Sequence, residues 1–244
     1  MFGYRKLTAA DAALTTVFTA YYAILGFLKI SPIIGLPGQA ITAAAFIAPI
    51  LGILLGPYIG TLSAFLGGTI GFFLGSLSYQ SFVSGIAAAF SAGMIRTGRR
   101  TAAALVYLLL LLLFAFYPAV GPAWTFPIET WFQIIGLLIL ISPIPSIAQK
   151  LLDTDDNKKL FLAFFPTCLA STLTGQIAGS IIFEILATDP KMVVGSWLTL
   201  TMLYPVERTI IALAATSIAA PASKTLKSGS LSCSLVNQEQ GAKG

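Results

Sequence analysis

Residues 35–75 read GLPGQAITAAAFIAPILGILLGPYIGTLSAFLGGTIGFFLG. The pattern is a Pro/Gly loop, an apolar helix, a tight Gly56-Pro57 turn and a second apolar helix. Gly52, Gly56 and Gly60 lie four apart across the turn, and Gly67, Gly71 and Gly75 repeat that spacing beyond it. Residues four apart share a helix face, so each set makes a smooth stripe. In a medium as apolar as the side chains themselves, helices associate through close backbone approach at such small residues. The hairpin is therefore expected at the centre of a helical bundle.

Working outward, the whole chain has the composition such a bundle requires. Its 244 residues are 57% hydrophobic and 9% charged, with a mean hydropathy of +0.89. A soluble domain carries roughly 25% charged residues. A membrane span needs about 20 apolar residues, which leaves room for six to eight spans and for no sizeable soluble domain. The expected fold class is all-α, a polytopic membrane helix bundle of six to eight transmembrane helices. Residues 1–220 form the embedded bundle and 221–244 a disordered cytoplasmic tail, Ser/Lys-rich and without an apolar pattern. The chain contains no histidine, which removes the commonest general base and most zinc, nickel and copper sites. Cys168 sits in an apolar run and Cys233 in the polar tail, which suggests no disulfide framework. No metal and no cofactor are expected.

Spans are placed at 9–30, 39–55, 58–75, 82–95, 101–117, 128–147, 160–186 and 192–220. The first is too long for a signal peptide and lacks a cleavage site, so it is read as retained. The fourth is short and Ala/Gly-rich and should pack inside protein, whereas the Leu-rich fifth should face lipid. The last is expected to be interrupted at Pro205. Eight spans put both termini on one side. That side holds Arg5, Lys6, Arg96, Arg99, Arg100, Lys150, Lys158, Lys159, Lys224, Lys227 and Lys243, against Lys29 and Lys191 on the other. By the positive-inside rule both termini are cytoplasmic in a multi-pass protein of the cell membrane. The pI of 9.3 reflects this asymmetry rather than nucleic-acid binding.

Polar residues inside the spans mark the candidate site. In the seventh, Thr172, Gln176, Ser180 and Glu184 lie four apart and form a stripe beside Gly175 and Gly179. Gln176 and Glu184 are costly to bury and point to a ligand-lining face. Thr172 and Ser180 read more simply as hydroxyls bonded to their own helix or to a neighbouring one. Glu207 and Arg208 follow Pro205 and admit two readings. Either they are intramembrane, with Arg208 holding a ligand carboxylate, or they lie on an amphipathic helix at the cytoplasmic surface. Asp11 suits the positive end of the first helix dipole. Glu129 opens the sixth span in the same way and faces the outer mouth beside Trp124 and Phe126. No H-E-x-x-H, G-x-S-x-G or P-loop motif occurs, so the chain is read as neither an enzyme nor an ATPase. Energy for active transport would have to come from another subunit or from an ion gradient.

Gly52-x-x-x-Gly56-Pro57-x-x-Gly60, preceded by the loop with Pro37 and followed by Gly67-Gly68, resembles the second and third helices of S components of energy-coupling factor (ECF) transporters, including the biotin-specific branch. The resemblance covers residues 7–100 well and the rest loosely. It implies a membrane subunit that captures a vitamin or similar micronutrient, while separate ATPase and transmembrane coupling subunits drive uptake. It also implies that Ala9-x-x-x-Ala13 docks the coupling subunit. Ligand contacts would come from a lid at 31–39, Gln39 included, and from polar groups of the later spans. The substrate-contact candidates are thus Gln39, Trp124, Glu129, Gln176, Ser180, Glu184 and Arg208. The family typically has six helices where eight are counted here. The partners expected are a small-molecule substrate, the coupling and ATPase subunits and the lipid bilayer, with no nucleic acid. A stand-alone ion-coupled carrier is the alternative. A lipid-modifying enzyme using Asp153, Asp155 and Asp156 for Mg²⁺ is disfavoured, because these acids are interleaved with Lys150, Lys158 and Lys159.

Overall fold

The computed structural model describes residues 8–32, 38, 40–151, 156–187 and 189–228. The fold is all-α. Helix α1 (Ala9–Leu25) leads into a two-stranded antiparallel ribbon, β1 (Lys29–Pro32) with β2 (Ala40–Thr42). Then follow α2 (Ala44–Phe73), α3 (Tyr79–Arg96), α4 (Arg100–Ala115), the short α5 (Pro122–Thr125) and a 3-10 turn (Pro127–Thr130). Helices α6 (Trp131–Ile141), α7 (Ile144–Leu151), α8 (Asn157–Leu186) and α9 (Pro190–Ser228) complete the chain. The outer surface carries large apolar side chains, among them Ile24, Leu105, Leu109, Leu112, Met202 and Ile210. Such a surface is compatible with membrane insertion.

Gly56 breaks α2 into two arms, 44–55 and 57–73. Its φ of 79° lies in the left-handed region that glycine adopts at no steric cost. Pro57 then opens the second arm, where its missing N–H costs nothing. The arms fold back on each other: a Cβ on Gly60 would stand 2.5 Å from the Leu51 carbonyl oxygen. Helix α3 packs into the same joint. A Cβ on Gly52 would collide with the Ala89 carbonyl oxygen, and one on Gly93 with the Pro57 Cα. On the other side of the second arm, Gly67 lies under α1, where a Cβ would be 2.6 Å from the Thr19 carbonyl oxygen. The glycine hairpin read from residues 35–75 is thus the packing centre, and α3 is buried against it through Ala88, Ala89 and Ala92. The Leu-rich α4 turns Leu105, Leu109 and Leu112 outward.

Contacts fix two ends of the bundle. At the Gly56 end, Arg99 donates to the Tyr58 hydroxyl (2.9 Å), Gln149 to the Ile95 carbonyl (2.9 Å) and Arg100 to the Ser142 carbonyl (3.2 Å). At the strand end, the Ala43 N–H donates to the Leu28 carbonyl at 2.8 Å.

The structure corrects three expectations. The Pro/Gly loop is flanked by paired strands, so the helix expected from residue 39 begins at Ala44. The sixth span bends by 59° between Ile141 and Ile144, at Ser142-Pro143, where proline denies the helix a donor. Helix α9 runs unbroken through Pro205; proline is tolerated inside such helices where neighbouring groups re-satisfy the backbone. By length and composition, three helices can cross a membrane, α2, α8 and α9, or four if the bent pair 127–151 counts as one. Helices α1 and α4 are apolar but shorter. The six to eight spans expected are not reached on that measure. Helix α9 also continues past Ala220 to Ser228.

The glycine joint makes a sharp test. Gly52→Leu is expected to cost at least about 1–3 kcal/mol of stability, or to abolish monodisperse protein, because backbone rather than a side chain blocks the added atoms. Gly195 lies inside α9, and nothing stands within 4 Å of the place a Cβ would take. Gly195→Ala should therefore be neutral or stabilise by up to about 1 kcal/mol. Thermal unfolding of the purified variants in one detergent compares the two.

Candidate functional site

Toward the strand end, a cleft opens among α1, β2, the first arm of α2, α3, α8 and α9. The space between its walls, open mouth included, is about 740 Å³. The first arm contributes Ala44, Ala45 and Ala48, whose small side chains leave the space. Helix α3 contributes Gln80, Ser81 and Ser84 from its first turns, and α8 contributes Thr172, Gln176, Gly179, Ser180 and Phe183. Tyr204 and Arg208 enter from α9 and Tyr22 from α1.

Glycines hold these helices close enough to share the space. A Cβ on Gly175 would stand 2.6 Å from the Ser84 carbonyl oxygen, and one on Gly85 would overlap the Tyr22 hydroxyl. Helices α8 and α9 run antiparallel. Ser180 lies beside Tyr204, and Cys168 beside Thr216. These two pairs define one register, in which each four-residue step back along α8 meets a four-residue step forward along α9. That register places Gln176 level with Arg208. The Arg208 guanidinium also lies over the Tyr204 ring, 5.3 Å from its centroid, a cation–π arrangement.

Burial and hydrogen bonding separate two kinds of polar group. Gln176 is 3% exposed, and neither its amide nitrogen nor its amide oxygen has a partner. Arg208 is 6% exposed with Nε unpartnered, and its Nη2 stands 3.3 Å from Glu207 Oε1. That ion pair lacks hydrogen-bond geometry, since both Glu207 oxygens are without a hydrogen bond. By contrast Glu129, also buried, accepts from the Thr201 hydroxyl (2.5 Å) and the Gln133 amide (3.3 Å). Around it, Tyr107 donates to the Gln133 carbonyl (2.7 Å) and Trp197 to the Val120 carbonyl (3.0 Å). Glu129 therefore anchors a polar knot between the 3-10 turn, α6 and α9.

Of the residues singled out from sequence, the structure brings Gln176, Ser180 and Arg208 together on the cleft, and Thr172 with them. Thr172 also donates to the Leu169 carbonyl of its own helix at 2.9 Å. Glu184 is buried with both oxygens unpartnered but does not line the cleft. Glu129 belongs to the separate knot. Trp124 is 64% exposed and packs edge-on against Phe116, away from the cleft. Gln39 and most of the lid at 31–39 lie outside the described residues. Glu207 and Arg208 are both buried and lie on one continuous helix. Asp11 caps α1 in a reciprocal box with Thr8.

Sequence reasoning missed Tyr22, Gln80, Ser84 and Tyr204. A signal existed for three of them. Gln80 and Ser84 are four apart at the head of an Ala/Gly-rich helix, and Asp11, Thr15 and Thr19 trace the buried face of α1 that leads to Tyr22.

No protein-family model, no curated protein and no solved structure matches this chain. Among the described residues, no group of three or more histidine, cysteine, aspartate or glutamate side chains could hold a metal ion.

The two kinds of polar group should respond oppositely to removal. Gln176→Leu replaces an unpartnered amide by an apolar group of similar size and is expected to stabilise the ligand-free protein by about 1 kcal/mol. Thr201→Val takes a donor from a buried carboxylate and should destabilise it by about 1–3 kcal/mol. Thermal unfolding of ligand-free protein reads both signs.

Proposed function

We propose that this chain is the substrate-capturing membrane subunit of an uptake system of the energy-coupling factor type. It would bind a vitamin or similar small micronutrient, while separate ATPase and coupling subunits supply the energy. The observation that carries this reading is the cleft itself. It is a concave site inside an apolar bundle, where Gln176 and Arg208 are buried with hydrogen-bonding capacity unmet. Leaving a buried polar group unsatisfied costs about 1–3 kcal/mol, and a bound polar ligand recovers that cost. The Gly52-Gly56-Pro57-Gly60 hairpin that carries the family resemblance packs directly behind the cleft.

The reading includes a multi-pass topology with cytoplasmic termini in the cell membrane. The skew of basic residues toward the Gly56 end supports it, since Arg96, Arg99, Arg100 and Lys150 all cluster there. The docking patch is assigned to Ala9 and Ala13, which are exposed and four apart on α1, a smooth face onto which a partner helix can pack.

Purification of the tagged chain from native membranes tests the proposal. An ATPase pair and a membrane coupling subunit should co-purify. Ala9→Trp or Ala13→Trp should abolish that recovery while leaving ligand binding by the isolated chain unchanged. Uptake by the purified chain alone in liposomes, driven by an ion gradient without ATP, would establish the stand-alone carrier instead.

A further inference from the structure

We propose that the Gly56 end of the bundle carries a docking surface for anionic phospholipid, built on helix α7 and the basic residues of the α3–α4 turn. The partner is the leaflet in which that end of the bundle sits. Only membrane insertion is presupposed, not what the cleft holds.

Helix α7 has two faces and is turned across the bundle. Pro145 and Ala148 are buried, whereas Ile144 and Ile147, three apart on one face, are exposed. Ile141, at the end of α6, is exposed beside the bend. The eight residues of α7 measure about 12 Å, of which the 59° bend leaves about half along the α6 axis. A two-faced helix at such an inclination sinks its apolar side into the boundary between headgroups and acyl chains. Hydrogen bonds fix this face beside positive charge. The Gln149 side-chain amide donates to the Ile95 and Arg96 carbonyls (2.9 and 3.4 Å), which α3 leaves open at its C-terminal end. Arg100 donates to the Ser142 carbonyl at the bend. Arg99 is exposed, with its guanidinium on the Tyr58 hydroxyl and 5.9 Å from the centre of that ring. Lys150 lies in the last turn of α7, and Lys158 and Lys159 open α8, which packs against it; all three are exposed. At this end, among the described residues of α3, α4, α7 and the start of α8, the one acidic side chain is Asp156, which pairs with Lys159 at 4.0 Å. Asp153 and Asp155 lie outside the described residues.

A soluble polyanion would meet these charges but leave the isoleucines in water, and a neutral bilayer would meet the isoleucines alone. An anionic leaflet meets both, with acyl chains at Ile144 and Ile147 and phosphate groups at Arg99 and Lys150, whose aliphatic stems carry the charge outward. The two arginines of the turn have different parts. Arg100 is half-buried and holds the bend, whereas Arg99 faces out. A leaflet reads charge rather than the shape of a guanidinium, so Arg99→Lys should keep the lipid preference and Arg99→Gln should weaken it.

The test uses the full-length chain carrying Cys233→Ser and Ile147→Cys, with a bimane fluorophore on the new thiol; Cys168 is buried. The protein is reconstituted in phosphatidylcholine vesicles that contain brominated phosphatidylglycerol or brominated phosphatidylcholine, and quenching is followed as the brominated fraction rises. The expected result is half-maximal quenching at an at least about fivefold lower fraction of phosphatidylglycerol than of phosphatidylcholine, the scale of one basic residue at an anionic surface. Arg99→Gln with Lys150→Gln should bring the two fractions to within about twofold of each other. Lys29→Gln with Lys191→Gln, the same change of charge at the strand end, should leave the preference intact. Raising sodium chloride to about 1 M, where the screening length falls to about 3 Å, should remove the preference without any further substitution. Equal quenching by the two lipids, or a preference that survives the Arg99/Lys150 variant or the salt, overturns the anionic assignment. A preference lost equally in the Lys29/Lys191 variant is an effect of net charge and overturns it too. Quenching by neither lipid places α7 away from the bilayer and overturns the docking surface itself. If the Arg99/Lys150 variant does not elute as a single species, the salt titration decides. None of these outcomes bears on whether coupling and ATPase subunits co-purify.

Discussion

Backbone meets backbone at the joint of Gly52, Gly60 and Gly93, and the rest of the bundle is arranged around that approach. A side-chain carbon at any of the three would fall within 2.5 Å of main-chain atoms on a neighbouring segment. Apolar side chains gain little by leaving lipid for protein, so helices in that medium are held by contact density and by interhelical hydrogen bonds. Close approach multiplies the number of atoms in van der Waals contact. It also commits the sequence, because main chain cannot move aside as the end of a side chain can. The same device recurs at Gly67 against α1 and at Gly175 against α3. Helix α3 is thereby clamped between the hairpin and α8.

Within a scaffold of that kind, each buried polar group must be either satisfied or conspicuous. Most are satisfied locally. Thr15, Thr174, Ser196 and Thr216 donate to carbonyls one turn back on their own helices. Glu129 is satisfied across helices, through Thr201 and Gln133, and this knot ties the 3-10 turn before α6 to α9. Gln176, Glu184, Glu207 and Arg208 are conspicuous, and of these Gln176 and Arg208 line the cleft. Composition alone does not separate Glu129 from Arg208, since both are charged residues in apolar surroundings. What separates them is whether a neighbour supplies the complementary atom.

That difference explains what could be read from the chain before its fold was known. The hairpin was legible because glycine spacing and a Gly-Pro pair act over a few residues, and positive φ at Gly56 follows from local sterics. The α8 stripe was legible for the same reason, as helical spacing converts directly into a shared face. The bend at Ser142-Pro143 and the passage through Pro205 were not. Both are prolines in apolar runs, and the outcome depends on how the rest of the bundle packs around them. Trp124 and Glu129 looked alike as residues at a mouth. One lies exposed against Phe116, and the other is drawn inward by Thr201, which is distant in sequence. The meeting of Gln176 and Arg208 on one cleft needed the packing of two long helices, which no local spacing records.

The position of the cleft relative to the glycine joint constrains how the protein can work. The first arm of α2 lines the cleft with Ala44, Ala45 and Ala48, then seals at Gly52 and Gly56. Helix α3 follows the same course: Gln80, Ser84 and Ala88 line the cleft, while Ala89 and Gly93 meet the hairpin backbone. Opening and seal are therefore consecutive stretches of the same two helices, and the seal is the floor of the site. A rotamer change can widen the mouth, but it cannot open a floor made of main chain in contact. Passage of a ligand through that floor would require whole helices to part and these main-chain contacts to be given up. Such a rearrangement needs work from outside the cleft. The proposed division of labour, in which energy-consuming partners drive this step for a capture subunit, is one way to meet that constraint.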